Sequence, residues 1–276
     1  MRFENKVAVV TGAGGVLCSA FAENLAKQGC RVALLDINEN AVKEVAENIK
    51  TQGGVAEFYS CDVLNKASVE NVRQRILADL GKCDILINGA GGNNPRCTTA
   101  HEYYESGDEA RQDIKTFFNL EKSDFDFVFS LNLMGTLIPT QVFSVDLLET
   151  KGCIVNISSM NAYTPLTKIP AYSAAKSAVS NFTQWLSVHF ASTGIRVNAI
   201  APGFFVTKQN KDLLFNADGT PTPRTDKILR ATPMGRFGKP QELFGALDFL
   251  CDTDASGFVT GIVIPVDGGF SAYSGV

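Results

Sequence analysis

Tyr172 and Lys176 stand four residues apart in Ala171-Tyr172-Ser173-Ala174-Ala175-Lys176, a spacing that puts a phenol and an ammonium one turn apart on one helix face. A free tyrosine has a pKa of about 10 and carries protons poorly at neutral pH. A neighbouring cation stabilises the phenolate and lowers that value, which would suit the phenol to exchange a proton with a substrate oxygen. A solvated surface pair is the competing reading of the same spacing.

A second constellation is Thr11-Gly12-Ala13-Gly14-Gly15-Val16-Leu17-Cys18, directly after the apolar run 7–10. Glycines let a backbone approach a pyrophosphate closely, and a helix starting behind them offers free N–H groups and a favourable dipole. Gly12, Gly14, Gly15, Val16 and Leu17 are therefore candidates for dinucleotide binding, against the plainer reading of a tight strand-to-helix turn. Asp36 lies 24 positions after Gly12, at the end of a second strand-like run. There it would accept hydrogen bonds from adenosine ribose hydroxyls and repel a 2′-phosphate. No basic residue follows in Ile37-Asn38-Glu39-Asn40, so NAD is favoured over NADP. A helix cap or a solvated loop carboxylate is the alternative for Asp36; Asp62, closing the third such run, has a similar place.

These groups need a scaffold that brings strand ends together. Apolar runs at 7–10, 31–36, 55–61, 84–88, 153–158, 196–201 and 262–266 alternate with helical spacing at 19–28, 41–49, 69–80, 123–149, 172–192 and 241–250. Unbroken apolar strands suit a sheet covered on both faces, so the reading is α/β: a Rossmann-type doubly wound sheet of seven mainly parallel strands flanked by helices. The alternation runs through 276 residues without a linker, which predicts one domain although ~150 residues per domain is the usual prior. Two stretches break the rhythm, 92–122 and 204–233, and long loops of this kind are usually lids or binding loops. Pro139 is expected to kink the helix over 123–149 near Gly135.

Hydrophobic residues make up 45% and charged residues 20%, which argues against disorder. A net charge of −4 disfavours a nucleic-acid partner relying on a broad basic surface. No apolar run is read as reaching the roughly 18 residues of a membrane span, and the first six residues lead straight into a strand, so neither membrane nor signal peptide is expected. Seven scattered cysteines without a Cys-x-x-Cys pair suggest neither a disulfide scaffold nor a zinc site, and a reducing, cytoplasmic location. His101 and His189 lack ligand spacing, so no metal is invoked.

Thr11-Gly12 with its glycines, Asn88-Gly89-Ala90-Gly91, Asn132, Ser159 thirteen residues before Tyr172, Tyr172 with Lys176, Pro202-Gly203 with Thr207, and Val266-Asp267-Gly268-Gly269 together resemble the short-chain dehydrogenase/reductase family. The resemblance covers nearly the whole chain. It implies that Tyr172 is the general acid/base, that Lys176 lowers the tyrosine pKa and binds the nicotinamide ribose, and that Ser159 hydrogen-bonds the reacting carbonyl oxygen. Asn132 is similar to the asparagine that kinks a helix and holds a water in the proton relay. Asp62 and Val63 resemble an adenine-contacting pair, Asn88, Ala90 and Gly91 would line the adenosine side, and Pro202, Gly203 and Thr207 the nicotinamide side. Ser158 has the wrong spacing and reads as structural. The family pattern expects glycine where this chain has Val16 and Cys18, and Asn-Asn where it has Asn88-Gly89. Side chains at 16 and 18 would narrow the pyrophosphate approach or reroute the loop. A homotetramer is implied, with the tail from Phe270 near a neighbouring subunit.

Specificity is expected in the two excursions. Asn93, Asn94, Arg96, His101 and Arg111 in the first, and Lys208, Gln209, Asn210 and Lys211 in the second, suit a hydroxylated anion, although polar surface loops usually just meet water. Asn161 and Tyr163 follow Ser159 closely enough to face the same pocket. The phrases from Ser158 to Lys168, Pro202-Gly203-Phe204-Phe205 and the end from Gly269 are similar to the D-mannonate oxidoreductase (fructuronate reductase) subgroup. That similarity implies a sugar-acid substrate, with D-fructuronate and D-mannonate interconverted by NADH and NAD. A reductase of a neutral polyol or ketose, and a non-catalytic NAD-sensing protein, are the rival readings.

Overall fold

Each of the seven apolar runs is a strand: β1 (Val7–Thr11), β2 (Arg31–Asp36), β3 (Val55–Ser60), β4 (Ile85–Asn88), β5 (Cys153–Ile157), β6 (Arg196–Pro202) and β7 (Val263–Val266). The computed structural model describes residues 1–207 and 211–275. The strands make one sheet in the order β3-β2-β1-β4-β5-β6-β7, and every neighbouring pair is parallel. The order reverses between β1 and β4, which opens a crevice at their carboxyl ends.

Nine helices flank the sheet among the described residues: α1 (Val16–Lys27), α2 (Glu39–Thr51), α3 (Lys66–Asp79), α4 (Lys122–Thr150), α5 (Pro170–His189), α6 (Lys211–Leu214), α7 (Pro223–Ala231), α8 (Phe244–Cys251) and α9 (Thr253–Ser256). Side chains alternate across a strand, so each strand feeds two cores. Ala8, Val10, Val32 and Leu34 join Phe21, Leu25, Val42 and Leu247 in one layer. Val7, Val9, Ala33 and Leu35 join Val72, Phe143, Leu147 and Leu186 in the other. Burying each large apolar side chain contributes about 1.5–3 kcal/mol, which is why apolar residues dominate both faces of the inner strands.

Element boundaries differ from expectation where the turn chemistry is local. α1 begins at Val16 rather than 19, because Gly15 already serves as the N-cap and its carbonyl accepts from Ser19 N. α5 begins at Pro170, whose fixed φ and missing N–H suit a first helical position. α4 runs on through Pro139, so the proline does not end it. The expectation of no long apolar run needs correcting: an 18-residue window of α4 has mean hydropathy 1.3, enough by length and composition to cross a membrane. Half of that window is buried within the protein, where α4 packs between α3 and α5.

Both excursions carry short helical elements among the described residues. The first carries short 3-10 turns at Pro95–Cys97, Asp108–Ala110 and Phe117–Asn119. It is pinned where Cys97 packs on Val128 and Ala171, and where Thr99 N donates to Lys168 O at 2.8 Å. The second carries α6 and α7, and Lys227 on α7 donates to Glu102 of the first at 2.8 Å.

Candidate active site

Parallel register brings the ends of β1, β2, β4, β5 and β6 to one edge of the sheet, around a cavity of about 840 Å³. Thr11 leaves β1 and Gly12 turns with φ +67°, a left-handed conformation glycine adopts without strain. A Cβ on Gly12 would stand 2.8 Å from Ala90 Cα, so the turn and the β4 exit are in backbone contact. Thr11 Oγ1 locks them by accepting from Gly89 N and Ala90 N at 3.1 and 3.2 Å. Asp36 Oδ2 accepts from Gly14 N at 3.0 Å and Oδ1 from Asn38 N at 2.9 Å. The carboxylate thus holds two loop N–H groups rather than capping a helix, since Asn38 caps α2, and it also lines the cavity.

Gly12, Gly14, Gly15, Val16, Leu17, Asp36, Asp62, Val63, Ala90, Gly91, Ser159, Tyr172, Lys176, Pro202, Gly203 and Thr207 all line this one cavity. Val16 and Cys18, the departures from the family pattern, line it beside the glycines at 12, 14 and 15. Asn88 lies behind the wall: its Nδ2 donates to Thr140 Oγ1 and Asn156 Oδ1, both at 2.9 Å. Asn132 is fully buried, and its Nδ2 donates to Gly92 O at 2.9 Å and Val128 O at 2.8 Å, while its Oδ1 accepts from Gly92 N at 3.1 Å. Its side chain therefore clamps the chain leaving β4 rather than facing the cavity.

Lys176 is buried and its ammonium donates to Ile157 O at 2.7 Å, 5.7 Å from the Tyr172 ring centroid. Burial pushes the lysine down to about 8. The Tyr172 phenol is not lowered, contrary to the expectation from its spacing. Desolvation raises it above the ordinary tyrosine value, and only the Ser159 side chain pulls it back. The reason is geometric: the ammonium spends its charge on the β5 carbonyl and sits beside the ring rather than on the phenol oxygen. Ser159 Oγ accepts from Asn161 N at 3.2 Å. Ser158 turns away, its Oγ meeting Ser180 Oγ at 2.7 Å and Lys176 O at 3.2 Å.

The rim residues find local partners. Asn94 Oδ1 accepts from Arg96 N at 3.0 Å and caps the first 3-10 turn; Asn93 donates to Thr98. Arg111 holds Asp113 through two nitrogens at 2.6 and 2.7 Å, and His101 Nδ1 is 3.0 Å from Asp108. Asn161 is buried with Oδ1 unpartnered, and Tyr163 donates to Val263 O at 2.9 Å; neither lines the cavity. Lys211 opens α6, while Lys208, Gln209 and Asn210 lie outside the described residues. Among the described members of this set, Arg96 has its guanidinium 5.5 Å from the centroid of Phe127, a wall residue, and 3.7 Å from Asp124.

Sequence reading missed Phe127 and Leu131, which line the cavity from α4. Their i, i+4 spacing just before Asn132 was the available signal, masked because apolar residues recur on every side of this helix. Ile37, Asn38 and Leu64 were missed as loop residues, each one or two positions past a named acid.

Residues 6–216 match the family model for short chain dehydrogenase. A Haemophilus influenzae protein named only as an uncharacterised oxidoreductase is 57% identical over 276 residues, covering 100% of this chain and 96% of its own. A crystal structure from Haemophilus influenzae, provisionally named a D-mannonate oxidoreductase and holding NAD, is 56% identical with a TM-score of 0.95, covering 100% of this chain and 98% of that one. A D-threitol dehydrogenase from Mycolicibacterium smegmatis is 31% identical over 98% of this chain and 94% of its own. With this match, and with glycine turn, serine, tyrosine and lysine converging on one cavity, the chain belongs to the short-chain dehydrogenase family.

Proposed function

We propose that the protein is an NAD-dependent oxidoreductase that interconverts a keto sugar acid and its hydroxy acid, with D-fructuronate and D-mannonate as the pair. The 56% identity to the NAD-bound protein provisionally named a D-mannonate oxidoreductase carries the substrate half of this reading. The chemical half rests on Ser159, Tyr172 and Lys176 sharing a cavity with Asp36.

When bound, the nicotinamide supplies or accepts the hydride. In the reduction direction, Ser159 and Tyr172 hold the carbonyl oxygen, and the phenol gives it a proton as carbon–oxygen charge develops. With an ordinary value of about 10 the phenol already holds that proton at neutral pH, and burial raises it further. Lys176, released from Ile157 O toward a ribose, would bring its charge nearer the phenolate left behind. Asp36 would accept from the adenosine ribose, and Asp62 and Val63 would flank the adenine. Asn132 would keep Gly91 and Gly92 in place through the Gly92 clamp, and Pro202, Gly203 and Thr207 would lie beside the nicotinamide. Arg96 is the proposed contact for the substrate carboxylate, because its guanidinium packs near Phe127, a residue of the cavity wall. Asn94 and Lys208 stand as weaker candidates, while Asn161 is buried away from the cavity wall.

The D-threitol dehydrogenase relative supports a second reading, a neutral polyol or ketose as substrate. Steady-state reduction of D-fructuronate and D-fructose at matched concentrations separates the two. The sugar-acid reading expects turnover of fructuronate to exceed that of fructose by at least tenfold; equal rates would contradict it. Exposed Val145 and Leu148 on α4 and Trp185 and Val188 on α5 favour a homo-oligomer, proposed as a cytoplasmic tetramer built through these helices.

A further inference from the structure

Gly89 is a glycine that its backbone does not require, since its φ lies outside the left-handed region that would favour one. Space is what forbids a side chain there. A Cβ on Gly89 would stand 2.1 Å from Cys18 Sγ and 2.9 Å from Thr11 O. Cys18 is buried under the first turn of α1, at a position where the family pattern expects glycine, and Gly89 is where that pattern expects asparagine. The side chain absent from one position is present at the other.

We propose that Cys18 and Gly89 form one size-exchanged pair that positions the β4 exit within the dinucleotide cavity, so that a side chain at 89 is tolerated only when the thiol at 18 is removed. The inference rests on assigning that cavity to NAD. The segment after β4 has contacts on both sides: Gly89 meets the thiol, while a Cβ on Gly91 would stand 2.5 Å from Asn132 Oδ1 and 3.2 Å from Lys176 Nζ. A push on Gly89 from the thiol side is therefore passed to Gly91, whose neighbours are the asparagine and lysine of the site. Burial drives the Cys18 thiol up to about 12, so it is neutral at working pH and acts through its volume. Cys18 is a positioning residue in this account, acting on the cofactor through Gly89 to Gly91.

A double-mutant cycle tests the pair. Gly89→Ala, Cys18→Gly and the double variant are compared by NADH fluorescence titration, by KM for NADH against kcat, and by melting of the cofactor-free protein. Gly89→Ala is expected to weaken NADH binding at least tenfold, to raise KM more than it lowers kcat, and to lower the melting temperature. Adding Cys18→Gly should recover more than half of the lost affinity on a logarithmic scale and most of the melting temperature; the Thr11 carbonyl accounts for the remainder. Should Gly89→Ala alone fail to fold, a double variant that folds and binds NADH supports the pair, and one that does not overturns it. Parent-like affinity in Gly89→Ala, or losses that simply add in the double variant, would also overturn it. Failure of the parent to bind NADH strikes the cofactor assignment instead, and the melting cycle, which contains no NADH, still tests the contact.

Discussion

Beneath the cavity, Asn132 and Lys176 spend their polar atoms on main-chain partners 2.7–3.1 Å away, whereas at the rim Arg111 and Lys227 pair with carboxylates in water. The floor is buried and its groups are fixed to the ends of parallel strands. The rim is carried by excursions whose charges satisfy one another. Proton chemistry demands fixed geometry and so belongs to the floor, while substrate choice tolerates exposed side chains and belongs to the rim. Substitutions in the two regions should therefore differ sharply in effect.

Lys176→Met strikes the floor by removing the buried cation beside the phenol. Turnover should fall about a hundredfold or more. The same variant carries a pH signature. In the parent, the folded Lys176 value of about 8 lies below the ordinary 10.5, so between them the unfolded chain binds more protons and the parent gains stability as pH rises. Melting curves of the cofactor-free protein should show that gain in the parent and not in Lys176→Met; parallel curves would remove the buried charge from the account.

Asp36→Ala should weaken NADH binding about tenfold or more, because hydrogen bonds to a charged group are worth about 1.5–3 kcal/mol. Its kcat at saturating NADH should change much less. An unaltered affinity would mean that the carboxylate serves only Gly14 and Asn38.

Glu102→Gln at the rim should do least. The Lys227 ammonium holds the Glu102 carboxyl below the usual range, so whatever the pair contributes is present at neutral pH and lost as pH falls through the lowered value. Exposed pairs of this kind contribute little, and melting temperature and kcat should stay within scatter of the parent. A large loss would show the two excursions to be coupled more tightly than an exposed ion pair allows.

The floor was also the more legible region in the sequence. Strands buried on both faces leave continuous apolar runs, and residues directly after them, such as Gly12, Asp36 and Ser159, must reach the same edge of a parallel sheet. What stayed hidden depends on contacts far apart in the chain. The spacing of Tyr172 and Lys176 announces a pair but not that Ile157 O captures the ammonium. Proximity to Ser159 suggested that Tyr163 faces the pocket, yet its hydroxyl is taken by Val263 O, a hundred residues on. Phe127 and Leu131 were unreadable as wall residues because apolar periodicity cannot separate a cavity wall from a core.

The central claim is that the Tyr172 phenol moves the proton. Tyr172→Phe keeps the ring and removes only the hydroxyl, so NADH titration and turnover measured on the same preparation test it directly. The account predicts loss of turnover by about a hundredfold to ten-thousandfold with NADH affinity within about threefold of the parent. Turnover retained at the parent level would contradict it.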